Sequence, residues 1–137
     1  MDKDTKLSRF ACDFFYYFSR FEFALKENEY LRDATVGVAA EPGWADFVSE
    51  WHERYVSSES ARRLMQAARK RQIVAEQKRV TWAPVGLADC RSDLEKVVRL
   101  LKTVRNNLFH GGKHGSAEWD DPGRNRVTAY VGKDGAR

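Results

Sequence analysis

The chain has 137 residues, a length typical of one domain, and it can bury a hydrophobic core without disulfides or a metal. Hydrophobic residues make up 42% and charged residues 32%, a composition that excludes general disorder. The 24 Lys and Arg outweigh the 20 Asp and Glu, and the net charge of +4 permits a polyanionic partner without requiring one.

Three sequence features predict a cytoplasmic protein. No stretch reaches the roughly 18 consecutive apolar residues that a membrane span needs, and Met1 to Asp4 lack the apolar core of a signal peptide. The two cysteines, Cys12 and Cys90, each fall in a segment predicted to be helical. Two cysteines so placed do not make a disulfide framework, and they favour a reducing compartment.

The first predicted helix covers about Thr5 to Arg32, where apolar side chains recur at steps of three and four. This stripe consists of Leu7, Phe10, Phe14, Tyr17, Phe18, Phe21 and Leu25. Further aromatics, Phe15, Tyr16 and Phe23, lie off the stripe. The surplus favours a central core helix packed on more than one side, with a subunit interface as the alternative.

Two shorter helices and a possible hairpin follow. The second predicted helix runs from Trp44 to Val56, and cap residues at Ser57–Ser60 predict a third that ends near Ala68. Strand-like residues between Arg69 and Trp82 allow a small β-hairpin. Its basic residues are interpreted as solvated surface, with contact to RNA as the alternative; they are Arg69, Lys70, Arg71, Lys78 and Arg79.

The last predicted helix, Asp89 to Phe109, has the clearest pattern and is ended by Gly111 and Gly112. Its apolar stripe consists of Leu94, Val97, Val98, Leu101, Val104 and Leu108. Residues 114–137 are polar and glycine-rich, and we expect an irregular tail there.

The end of this helix carries the candidate chemistry. Arg105 falls on the apolar stripe, so it either has an ion partner in the core or points to a site where a ligand or another chain meets this face. Glu22 borders the aromatic stripe of the first helix and either pairs with Arg105 or faces solvent. His110 lies about 140° further round the helix, so the two side chains do not share a face. If both act on one substrate, either the helix distorts at Leu108–Gly111 or a second copy completes the site. Arginine binds phosphate and histidine exchanges protons near neutral pH, which suits cleavage of RNA by its own 2′-hydroxyl.

Other candidate sites are weaker. The run Gly111–Gly115 follows a helix, whereas a phosphate-binding loop precedes one. His110 and His114 are four residues apart, but a glycine-rich segment does not hold them as zinc ligands, and no metal site is expected. Cys12 lacks a candidate base and is predicted to be a buried thiol. His52 is predicted to be an exposed helix residue.

The segment Arg105-Asn106-Asn107-Leu108-Phe109-His110-Gly111 resembles the signature of the HEPN domain family. The run from Phe18 to Lys26 resembles the family's aromatic-rich opening helix. The resemblance covers residues 7–113. It implies an all-α helical bundle in a single domain of residues 1–137, with a motif-bearing core of about residues 5–113. HEPN bundles usually place another long helix after the motif, and residues 114–137 do not predict one.

The resemblance implies a metal-independent endoribonuclease without a cofactor, of a toxin or anti-phage defence type. Arg105 would bind the scissile phosphate, and His110 would act as general base or acid. Asn106 would bind the phosphate or orient the histidine, and Lys113 and His114 would contact RNA. It also implies a homodimer with a composite active site, and an antitoxin or regulatory protein as a partner. The alternative is a non-catalytic module that binds a nucleotide or a partner protein such as a nucleotidyltransferase.

Overall fold

The computed structural model of the chain describes residues 3–67 and 69–110. The predictions made for Gly111, Gly112, Lys113, His114 and the tail lie outside these residues.

The described residues form four α-helices and one two-stranded antiparallel sheet. In chain order these are α1 (Lys3–Glu27), α2 (Trp44–Trp51), α3 (Glu59–Gln66), β1 (Lys70–Val74), β2 (Val80–Pro84) and α4 (Asp93–Phe109). A mostly helical fold with a small hairpin is therefore confirmed, whereas the HEPN-like arrangement stays a prediction. None of the helices in the described residues is long and apolar enough to cross a membrane.

The core forms around α4, which contacts α1, α2, α3 and β1. Its buried hydrophobic side chains are Phe14, Phe18, Leu25, Trp44, Ala61, Leu64, Leu94, Val97, Val98, Leu100, Leu101 and Val104. The expectation that α1 is the central helix is wrong, because the rings of Tyr16 and Phe23 on its opposite side are more than half exposed. Of the off-stripe aromatics of α1, Tyr16 and Phe23 thus face outward, whereas Phe15 is partly buried against the core.

The helix boundaries differ from the predictions where local hydrogen bonds stop a helix. α1 ends at Glu27 because Glu29 adopts a left-handed backbone conformation (φ 70°) and the Asn28 side chain donates to the carbonyl of Ala24 at 2.7 Å. α2 ends at Trp51, short of the predicted Val56, and residues 52–54 form a turn in which the amide of Arg54 donates to the carbonyl of Trp51 at 3.1 Å.

The start of α4 lies later than predicted because Ser92 is its N-cap. The Ser92 hydroxyl accepts from the amide of Glu95 at 3.2 Å, and the Glu95 carboxylate accepts from the amide of Arg91 at 2.8 Å. Cys90 consequently lies in the turn before α4 and not in a helix. Cys12 lies in α1 as predicted, but its thiol is exposed and not buried.

The hairpin is attached to the end of α4. β1 pairs with β2 in a register that runs from Lys70 opposite Pro84 to Val74 opposite Val80. The Asn107 side chain donates to the carbonyl of Lys70 at 2.9 Å, and the Asn107 side chain is itself buried. The interpretation of the hairpin cations as solvated surface is wrong for Arg69, which is only 9% exposed, and holds for the other four.

Candidate functional site

The last turn of α4 carries the residues of the motif. Val104 and Asn107 point into the core, so Arg105 lies at the edge of the buried face and Asn106 is exposed. The helix ends at Phe109, and the amide of His110 makes the last helical hydrogen bond, to the carbonyl of Asn106, at 2.9 Å.

Arg105 is held by contacts with α1 and with its own neighbour. Its Nη1 lies 3.6 Å from Oε2 of Glu22, and its guanidinium lies 5.3 Å from the ring centre of Phe18. Its Nε and Nη2 donate to Oδ1 of Asn106 at 3.2 and 3.0 Å. The sequence left two placements open for Glu22, paired with Arg105 or facing solvent, and in the structure it pairs with Arg105. Asn106 thus orients the Arg105 guanidinium, a role that the sequence did not suggest.

Glu22 is fixed from a second side by Trp44, the first residue of α2. Trp44 Nε1 donates to Glu22 Oε2 at 2.8 Å, and the Trp44 ring is 7% exposed. The ring stacks on Phe18 and Phe21 of α1 at 5.7 and 5.2 Å. Since the indole is locked in the core, the carboxylate that it binds is held in place, and one carboxylate thereby links α1, α2 and α4.

Lys102 is a site residue that the sequence analysis missed. It lies one helical turn before Arg105, and its Nζ is 5.6 Å from the ring centre of Trp44. Burial, followed by the positive charge of Arg105, lowers the pKa of Lys102, while Glu22 acts in the opposite direction. The spacing of three residues from Arg105 was the signal that could have found it.

Lys102, Arg105 and Glu22 line a cavity of about 520 Å³ between α1, the connector that follows it, α2 and α4. Its remaining charged residues are Arg32, Glu41 and Asp46. Arg32 and Glu41 form an ion pair at 3.2 Å on the exposed rim. A side chain at Gly43 would bring a Cβ within 2.8 Å of the Leu31 backbone, so this wall closes only because residue 43 is glycine.

His110 does not join this cavity. Its ring is exposed and packs edge-on against Phe109 at 5.3 Å. Within the part of the chain that the structure describes, no hydrogen bond or ion pair links His110 to Arg105. One chain thus brings Arg105, Asn106 and Glu22 together and leaves His110 apart, as the angular offset along α4 predicts.

The remaining candidates lie elsewhere. His52 is exposed at the end of α2, as predicted. Residues 3–67 and 69–110 contain no group of three or more His, Cys, Asp or Glu side chains placed to hold a metal ion. No protein-family model, curated protein or solved structure matches the chain.

Proposed function

We propose that the protein is a HEPN-like endoribonuclease that cleaves RNA without a metal ion, as a toxin or an anti-phage defence effector. The observation that carries the proposal is the setting of Arg105. Its guanidinium is oriented by Glu22 and Asn106, its side chain is 35% exposed, and it lines an open cavity. His110 follows five residues later in the chain. An oriented, accessible guanidinium is a phosphate-binding group.

The proposed reaction is an internal transesterification of RNA. The 2′-oxygen bonds to phosphorus, the bond from phosphorus to the 5′-oxygen breaks, and a proton passes from the 2′-hydroxyl to the leaving 5′-oxygen through acid and base groups. Arg105 stabilises the negative charge on the phosphate oxygens, and His110 acts as the base or the acid. The products carry a 2′,3′-cyclic phosphate and a 5′-hydroxyl.

A homodimer completes the proposed site. Because His110 lies outside the cavity that holds Arg105, a second chain must bring its own His110 to the phosphate. Tyr16 and Phe23 lie on one side of α1, 55% and 57% exposed, and large apolar side chains in such a position mark an interface. An antitoxin or regulatory protein would be a further partner. The proposal places the protein in the cytoplasm, where RNA is present and thiols stay reduced.

The separation of His110 from the cavity that holds Arg105 also favours a second candidate function. If no second chain supplies His110, the cavity binds the phosphate of a nucleotide or RNA without cleaving it, and the protein is a non-catalytic module. This alternative predicts binding without turnover, so one cleavage assay separates the two.

The assay incubates the purified protein with single-stranded RNA in excess EDTA and identifies the product ends. We expect cleavage to persist, and we expect Arg105→Ala and His110→Ala each to reduce it by about a hundredfold or more. His52→Ala is the matched control and leaves the rate unchanged, since His52 is exposed directly after α2. Loss of cleavage in EDTA with recovery in Mg²⁺ would contradict the mechanism. If His114→Ala proved the most harmful substitution, the catalytic histidine would be misassigned.

A further inference from the structure

We propose that the cavity between α1 and α4 is a phosphate subsite in which Lys102 acts beside Arg105 as a second anion-binding group. The assignment of the phosphate to an RNA strand rests on the function proposed above. The assignment of Lys102 as an anion-binding group rests on the charges of the cavity alone.

Two of the three carboxylates of the cavity are in ion pairs, whereas the Lys102 ammonium lies over the Trp44 ring. Glu22 accepts from Trp44 and pairs with Arg105, while Glu41 pairs with Arg32. Asp46 is exposed in the first turn of α2, where the positive end of the helix stabilises a carboxylate. Among the described residues, Lys102 is in no ion pair.

The position of Lys102 is costly without an anion. Its side chain is half-buried, with Nζ over the Trp44 ring, and the loss of water around the ammonium lowers its pKa. The positive charge of Arg105 disfavours the ammonium further, Glu22 opposes this effect, and Arg32 adds a smaller repulsion. An anion between Lys102 and Arg105 would offset both the desolvation and the repulsion.

The two cations fit a phosphate better than a single carboxylate. Residues three apart on a helix face lie about 5–6 Å apart at their Cβ atoms, so both head groups can reach one tetrahedral group. Arg105 uses Nε and Nη2 on Asn106, and its Nη1 is 3.6 Å from Glu22, too far for a strong hydrogen bond. Nη1 therefore has an N–H donor available for a phosphate oxygen, while Lys102 binds another oxygen as a point charge. The volume of about 520 Å³ is that of a small-molecule site and admits the phosphate with its attached sugar.

The test compares Lys102→Met with Lys96→Met, a lysine of the same helix outside the cavity. Binding is measured with single-stranded RNA that carries 2′-O-methyl groups and so resists cleavage. We expect Lys102→Met to weaken binding about tenfold or more, Lys96→Met by less than about twofold, and Lys102→Arg to retain most of the affinity. Equal weakening by the two Met substitutions would overturn the proposal, because it would show only general charge attraction.

A second measurement separates binding from folding and RNA from free phosphate. Without ligand, Lys102→Met should melt no lower than the unmodified protein, since it removes a half-buried charge and keeps an apolar chain over Trp44. Inorganic phosphate should raise the melting temperature of the unmodified protein more than that of Lys102→Met. If Lys102→Met reduces the stabilisation by inorganic phosphate but does not weaken RNA binding, the subsite stands and its ligand is a small phosphate compound. If Lys102→Met changes neither the stabilisation by phosphate nor the binding of RNA, the subsite is wrong.

The two proposals fail in different ways. If the protein cleaves no RNA but binds the modified RNA through Lys102, the nuclease is wrong and the subsite stands. If it cleaves RNA, and Lys102→Met changes neither binding nor kcat/KM, the subsite is wrong and the nuclease stands.

Discussion

At the scale of single residues, Glu22 does two things at once. Its Oε2 accepts from the buried indole of Trp44 and lies 3.6 Å from Arg105. Glu22→Gln keeps an acceptor for the indole and removes the charge that positions Arg105. We expect kcat for RNA cleavage to fall about tenfold, because a catalytic group that is poorly positioned loses rate. KM should stay the same or fall, since the cavity becomes more positive. Glu27→Gln, an exposed carboxylate on the same helix, is the control.

A rise in KM with unchanged kcat would show instead that Glu22 only shapes the binding surface. Steady-state kinetics on one short RNA measures both constants.

The sequence pattern identified Arg105 as a site residue but missed Lys102, and the difference has a physical reason. An arginine on an apolar stripe requires a partner, so the stripe alone indicated that Arg105 needed one, and Glu22 was a candidate because it borders the facing stripe. A lysine at the margin of a stripe is ordinarily read as a solvated charge, since its long chain reaches water. Only the position of Trp44, which the connector after α1 places over α4, shows that Lys102 is partly dehydrated.

At the scale of elements, Asn107 joins the hairpin to the C-terminal end of α4. Its Nδ2 donates to the carbonyl of Lys70 at 2.9 Å, and the side chain is 9% exposed. Asn107→Ala leaves that carbonyl without this donor, and we expect the free energy of unfolding to fall by about 1–2 kcal/mol. The matched control is Asn106→Ala at the next residue, whose side chain is exposed and whose loss should cost less than about 0.5 kcal/mol.

Urea unfolding of the two variants measures both values. Equal losses in the free energy of unfolding would mean that the hydrogen bond from Asn107 to Lys70 stabilises the fold no more than the exposed side chain of Asn106 does.

The elements themselves were largely predictable, and their ends were not. Periodic apolar residues located the helices, and β-branched residues located the hairpin. The ends depend on particular hydrogen bonds, such as the Ser92 cap of α4, and on the left-handed backbone of Glu29 that follows α1. Asn107 could not be recognised as an anchor from its own helix, because its partner is a backbone carbonyl on a strand 37 positions earlier.

At the scale of the whole molecule, the aromatic surplus of α1 is divided between two surfaces. Phe14 and Phe18 are buried against the rest of the chain, and the former is only 1% exposed. Tyr16 and Phe23 lie on the other side of the helix and remain more than half exposed. The sequence predicted that α1 carries more aromatic side chains than one buried stripe needs. It did not predict which of them are exposed, because that depends on how much of the α1 surface α2 and α4 cover. The outward pair gives the proposed second chain a surface to pack on.

The proposed dimer makes a prediction about which chain supplies each catalytic group. Arg105 lines the cavity of its own chain and His110 is exposed outside it, so we expect each site to combine Arg105 of one protomer with His110 of the other. We expect Arg105→Ala and His110→Ala chains each to be inactive alone. After mixing and exchange of subunits, about half of the dimers contain one chain of each kind, and one of their two sites has both groups intact.

RNA cleavage by the mixture should therefore recover to about one quarter of the rate of the unmodified protein. Activity is measured before and after refolding the two variants together, with sedimentation to establish the dimer. A mixture that stays inactive would mean that the pair comes from one chain or that all four groups are needed. An unmodified protein that sediments as a monomer and still cleaves RNA at full rate would exclude a composite site, because each chain would then hold its own Arg105 and His110 against the same phosphate.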